Sequence, residues 1–119
     1  MTITVGGSNI TFSDSTTQSS GQQAAKVWVN YNASSQTIRA SYNVSSVTYN
    51  STGTFTINFT SALADANYSV SGTAWAPGSY GGAVGINSQS ASSLQIQAIA
   101  VNASAPLSDP PYVCVSVFR

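Results

Sequence analysis

From Ala25 onward, apolar and polar residues alternate in segment after segment, and no stretch carries the 3.6-residue repeat of an amphipathic helix. A chain patterned with period two wets one face of a strand and buries the other, so an all-β fold is expected. The run Thr54-Phe55-Thr56-Ile57-Asn58-Phe59-Thr60 puts three apolar residues on one side and polar residues on the other, a strand with one wet face. Tyr112–Arg119 places Val113, Val115 and Val117 on one side and Tyr112, Cys114, Ser116 and Phe118 on the other, a strand expected to be covered on both faces. Further strands are read at Thr2–Val5, Ala25–Tyr31, Thr37–Val44, Ser46–Tyr49, Asn67–Trp75, Ala83–Ser88 and Leu94–Val101.

Turn chemistry separates these segments. Asn32–Ser35, Asn50–Gly53, Ala64–Asn67, Pro77–Gly82 and Ser108–Pro111 all carry residues that bend the backbone or tolerate a left-handed conformation. Regular spacing of such signals points to an antiparallel sandwich or barrel, and of the two a β-sandwich of about eight strands over residues 25–119 is expected. Residues 1–24 differ: short apolar pairs lie in a Ser/Thr/Gln/Gly background that ends in Thr17-Gln18-Ser19-Ser20-Gly21-Gln22-Gln23. This stretch reads as a short N-terminal arm that orders itself against a partner chain.

Charge restricts the partners. Only 5% of the 119 residues are charged: Lys26, Arg39 and Arg119 against Asp14, Asp65 and Asp109, with net charge zero and no histidine. Three scattered cations make no phosphate-neutralising patch, so neither nucleic acid nor an anionic membrane surface is an expected partner. Solubility rests on 50 Ser, Thr, Asn and Gln residues, and a domain without net charge associates readily, as a component of an assembly would. One cysteine excludes an internal disulfide, no secretory signal is legible, and no apolar run reaches the ~20 residues of a spanning helix. Membrane insertion is therefore not expected, and the chain reads as folded in a cytoplasm.

The residues also carry a resemblance. Ile10-Thr11-Phe12-Ser13-Asp14-Ser15-Thr16-Thr17-Gln18 resembles a junction common in bacteriophage tail fibres, an apolar residue and then Phe-x-Asp-Gly-Thr-x-Gln, with Ser15 standing where glycine is usual. Downstream, Ala25–Asn32, Ile38–Val47, Gly53–Phe59, Ala64–Tyr68 and Val113–Phe118 resemble the C-terminal β-domain of tail fibres from marine, cyanobacterial and other phages. Residues 73–93 are the least family-like part. The resemblance implies a homotrimeric virion protein assembled in the host cytoplasm, docked on another virion protein through its arm. As a short tail fibre or fibre tip it would attach to a host-surface glycan or outer-membrane receptor. The rival reading is a capsid decoration or head-fibre protein with a purely structural role.

Catalysis has little material, because a chain without His or Glu leaves three aspartates, Lys26, the tyrosines and Cys114. Asp14, Asp65 and Asp109 each sit in a turn signature, where Asp accepts local backbone N–H groups. A paired-carboxylate depolymerase is therefore not expected. Cys114, among β-branched residues with no cation nearby, reads as a buried structural cysteine. No Cys/His/carboxylate cluster has metal-ligand spacing, so no metal or other cofactor is expected. Gly78–Gly85 lacks the Gly-Lys-Ser/Thr ending and following helix of a phosphate loop. Seven Asn-x-Ser/Thr sequons, at Asn9, Asn32, Asn43, Asn50, Asn58, Asn67 and Asn102, are explained by composition and strand alternation rather than by glycosylation.

Binding has the best material, because sugar rings stack on aromatic faces while Asn, Gln and Ser give directional hydrogen bonds. Trp28, Tyr42, Phe55, Phe59 and Tyr68 lie in strand patterns and read as core. Tyr80, flanked by Gly78, Ser79, Gly81 and Gly82 in what reads as a loop, is the first candidate for a ligand contact. Trp75 at the base of that loop and Tyr49 beside the Asn50–Gly53 turn are the others.

Overall fold

The computed structural model describes Ile10, Thr11, Ser13, Thr17, Gln18 and residues 24–78, 80–100 and 107–119, and it is all-β. Asp14 and the strand expected at Thr2–Val5 lie outside the described residues, as does most of the arm. Within the arm, β1 (Ile10–Thr11) pairs with β2 (Thr17–Gln18) as a two-stranded ribbon of its own. Eight strands then form one antiparallel sheet: β3 (Val27–Asn32), β4 (Thr37–Tyr42), β5 (Val44–Ser51), β6 (Thr54–Phe59), β7 (Ser69–Ala76), β8 (Tyr80–Gln89), β9 (Ser93–Ala100) and β10 (Tyr112–Phe118). Their order across the sheet is β4-β3-β10-β7-β8-β9-β6-β5.

The two edge strands, β4 and β5, are consecutive in sequence and joined by Asn43 alone. A one-residue link between opposite edges forces the sheet to fold back on itself, nearly closed. Two layers result, β4-β3-β10-β7 and β8-β9-β6-β5. Tyr31 on β3 meets Phe55 on β6 edge-on across the interior, with ring centroids 5.5 Å apart. Asn43 makes the link with φ 56°, a left-handed conformation that Asn enters more readily than most residues. Its side chain holds the seam: Nδ2 donates to the carbonyls of Lys26 (3.2 Å) and Ser61 (3.0 Å), and Oδ1 accepts from the Ser61 amide (2.7 Å).

The inward positions are those the period-two pattern selects. Val27, Val29 and Tyr31 of β3, Val113, Val115 and Val117 of β10, and Ala74 of β7 face Phe55, Ile57 and Phe59 of β6 and Leu94, Ile96 and Ala98 of β9, all buried. Removing a side chain of Phe size from such a core costs about 3–5 kcal/mol. The core readings of Phe55, Phe59 and Tyr68 hold; Tyr68 packs on Phe59 and donates to the Ser90 and Ser93 carbonyls at 3.0 Å.

At one end of the sandwich a single carboxylate joins the layers. Asp109, just before β10, accepts from the Gly53 amide (2.7 Å, Oδ1) and the Tyr49 hydroxyl (2.8 Å, Oδ2), while its carbonyl accepts from Ser34 Oγ (2.8 Å). These partners are far away in sequence, so the expected local turn bonds of Asp109 are replaced by a clamp on the β5–β6 turn. Gly53, at φ 71°, lets that turn approach Leu107 and Ser108 closely: a Cβ there would lie 2.7 Å from the Ser108 nitrogen. Asp65 does make the expected turn bond, accepting from the Asn67 amide at 2.8 Å, and is also gripped by Arg119 through Nε and Nη2 at 2.8 and 2.7 Å. The Arg119 fork, and next the Asn67 amide, hold the Asp65 carboxyl down at about 2.

Candidate functional site

With the valines of β3 and β10 turned inward, their alternate residues turn out, and this corrects two expectations. Trp28 and Tyr42 are not core; they stand directly opposite each other on the outer face of the first layer, 39% and 57% exposed. The strand β10 is not covered on both faces either. Tyr112 and Phe118 are exposed, and Cys114, between Asn30 and Thr73, is half-buried on that outer face rather than in the core.

Register completes the arrangement. Trp75 lies opposite Tyr112, the two 52% and 42% exposed. Trp28 lies opposite Ser116, four residues along β10 from Tyr112, so the two aromatic pairs stand roughly 13 Å apart along the strand. The row between them, Asn30, Cys114 and Thr73, offers an amide and a hydroxyl.

Two local devices orient this face. Between Asn30 and Tyr31 the β3–β4 register shifts, leaving Arg39 as the extra residue of a bulge. Simple alternation would aim Arg39 opposite to Ala40; the bulge turns it outward. Its guanidinium lies over the Tyr112 ring, 4.4 Å from the centroid, and Nη1 donates to Asn30 Oδ1 at 3.2 Å. On the other side, the benzo ring of Trp75 rests against Gly81, where a Cβ would lie 2.7 Å from Trp75 Cζ3. Gly82 is as tightly placed, a Cβ there falling 2.4 Å from the Ile99 carbonyl oxygen.

That packing corrects the loop expected around Tyr80. Tyr80 pairs with Ala76 at the start of β8, and Gly81 and Gly82 are strand residues, so only three residues separate β7 from β8. The glycines serve close packing inside the sheet rather than loop freedom. The side chain of Tyr80 lies outside the described residues. Tyr49, the third candidate, is on the other layer with its ring tilted on Phe55 at 5.8 Å and its hydroxyl on Asp109. Of the two candidates whose side chains are described, Trp75 lies on this aromatic face and Tyr49 does not; Trp28, Tyr42, Tyr112 and Arg39 are residues that sequence reasoning missed. For Trp28 and Tyr112 the signal was present in parity, since each shares its side with Asn, Cys or Ser opposite a row of valines. For Arg39 the signal was absent, because a bulge is a property of the pairing.

The opposite outer face, on the second layer, is a net of neutral hydrogen bonds. Asn87 Nδ2 donates to Gln95 Oε1, Gln95 Nε2 to Thr56 Oγ1 (3.2 Å), and Thr56 Oγ1 to Asn50 Oδ1 (2.7 Å). Beside it Asn58 Nδ2 donates to Ser46 Oγ (3.1 Å) and Thr48 Oγ1 (3.0 Å). The sequon residues Asn32, Asn43, Asn50 and Asn58 thus use their side chains within the fold.

Compared with known proteins, the chain matches no family model, no curated protein and no solved structure. The chemistry must be read from the side chains. Asp109 precedes the seven-residue β10 and Asp65 is bound to Arg119, which follows it, so the two carboxylates are roughly 20 Å apart and cannot flank one glycosidic bond. No group of three metal-ligating side chains occurs among the described residues. A cleft of about 410 Å³ lies at the Asn43 seam, lined by Lys26, Tyr42 and Leu63 among others. What the aromatic face can do is stack flat, partly apolar rings and hydrogen-bond between them.

Proposed function

We propose that this chain is an attachment domain of a phage virion, a short tail fibre or fibre tip, and that it binds host-surface glycan through the outer face of the first layer. The single observation that carries the binding reading is the layout of that face. Two cross-strand aromatic pairs, Tyr42–Trp28 and Tyr112–Trp75, are exposed at either end of a polar row containing Asn30 and Thr73. Pyranose rings present C–H faces to aromatics and hydroxyls at their rims, which is the complement of this pattern. An exposed cluster of large aromatics on an otherwise Ser/Thr/Asn/Gln surface also marks an interaction site on general grounds. The virion assignment rests on the tail-fibre resemblance of residues 10–18, 25–32, 38–47, 53–59, 64–68 and 113–118. In a homotrimer assembled through the arm, three such faces would gain avidity from effective concentration while each contact stays weak.

The test is binding of fluorescently labelled protein to a panel of bacteria, with and without periodate oxidation of surface sugars. Saturable, periodate-sensitive binding that falls at least tenfold in Trp75→Ala is the expected result. Absence of binding across a panel that includes the true host would overturn the reading in favour of a capsid decoration or head-fibre role.

A further inference from the structure

The Tyr112 end of the aromatic face carries a cation, Arg39, and its surroundings say what the ligand should bring. The Arg39 guanidinium lies over the Tyr112 ring, its carbon 4.4 Å from the centroid, and Nη1 is given to Asn30. Its in-plane Nε and Nη2 groups meet no acceptor among the described residues. The described carboxylates are committed elsewhere, Asp65 to Arg119 and Asp109 to Gly53 and Tyr49. Set over the ring and hydrogen-bonded in this way, the fork is held in place beside Tyr112, opposite which stands Trp75.

We infer that the sugar bound at the Trp75–Tyr112 end is an acidic one, its carboxylate received by Arg39 while its ring lies on the indole of Trp75. This rests on the glycan-binding reading above and narrows it to a carboxylated sugar. A planar guanidinium edge matches a carboxylate bidentately, and stacking on an aromatic ring pre-orients that edge without consuming it. An ammonium group in the same position would supply charge but neither fork nor stacking. The bulge supports the assignment, because it turns outward a cation that regular pairing would have aimed the other way.

The experiment is an array of oligosaccharides ending in hexuronate, sialate or ulosonate residues, each printed beside its carboxyl-reduced alcohol, with neutral and phosphorylated oligosaccharides alongside. The intact chain is expected to bind a carboxylated probe at least tenfold more tightly than its reduced twin. Arg39→Gln and Arg39→Lys should each remove at least fivefold of that preference while melting as the parent does. Gly81→Ala, which displaces the Trp75 ring from its seat, should instead weaken reduced and carboxylated probes alike. Equal binding of acid and alcohol, or a preference for phosphorylated probes that depends on Arg39, would overturn the carboxylate assignment and leave glycan attachment standing. Periodate-sensitive binding to cells with no carboxylated probe bound would do the same. Silence on both the array and the cells would overturn the inference and the attachment reading together.

Discussion

The two outer faces of this sandwich are built from the same strand grammar and end up with opposite characters. On the second layer the outward residues include Thr, Asn and Gln that hydrogen-bond to one another from Asn87 through Gln95 and Thr56 to Asn50. On the first layer the outward residues include Trp28, Tyr42, Trp75 and Tyr112, exposed to between 39% and 57%. One face satisfies itself, and the other presents unused apolar area. A self-satisfied net contributes to stability and has little left to offer a partner; an exposed aromatic row contributes little to stability and is available for contact.

The comparison depends on the layers staying joined, and the largest effect is expected at the joint. Asp109→Ala removes the acceptor of the Gly53 amide and the Tyr49 hydroxyl together, and should lower unfolding stability by about 2–4 kcal/mol in denaturant titration. A loss under about 0.5 kcal/mol would mean that the layers hold without the clamp. Next come matched substitutions on the two faces. Asn58→Ala should cost about 1 kcal/mol by losing its bonds to Ser46 and Thr48, whereas Trp28→Ser should change stability by less than about 0.5 kcal/mol and reduce cell binding. Reversed effects would break the contrast between the faces.

Smaller shifts sharpen it. The Tyr31 hydroxyl is buried with no hydrogen-bond partner among the described residues, and burial first, then the negative charge of Asp109, pushes its ionisation upward. Tyr31→Phe should therefore leave the melting temperature unchanged or raised, by the equivalent of about 1 kcal/mol at most; a clear loss would reveal a partner for that oxygen. The ion pair of Asp65 and Arg119 gives the second smaller test. Because the folded Asp65 carboxyl is held at about 2, below its ordinary 3.8, its contribution is present above that ordinary value and is lost as pH falls through the interval between them. Melting curves of Asp65→Asn should lie below the parent's by a small amount at pH 7, decline less steeply between pH 4 and 2, and converge with the parent's at the acid end.

Much of the fold was legible because period-two alternation fixes which side of each strand is wet: Phe55, Ile57 and Phe59 were assigned inward from the sequence and are buried. Trp28 and Tyr42 were misplaced because aromatic character was weighed above parity, although Val27 and Val29 beside Trp28 already claimed the core side. The Gly81–Gly82 pair was misread because a glycine allows both a loop and close packing, and only the register against Trp75 and Ile99 distinguishes the two. Arg39 could not be found by pattern, since its outward turn comes from a shift in the pairing of two strands.

Asn43 has a consequence for how copies of this protein meet. An open sheet has two free borders, each with unpaired amides and carbonyls able to recruit a strand from another molecule. In this sheet both borders, β4 and β5, are held by the same residue. β4 and β5 each have one ladder neighbour, β3 and β6, so both borders run out from this one residue, and it is along them that a strand from another molecule could be added.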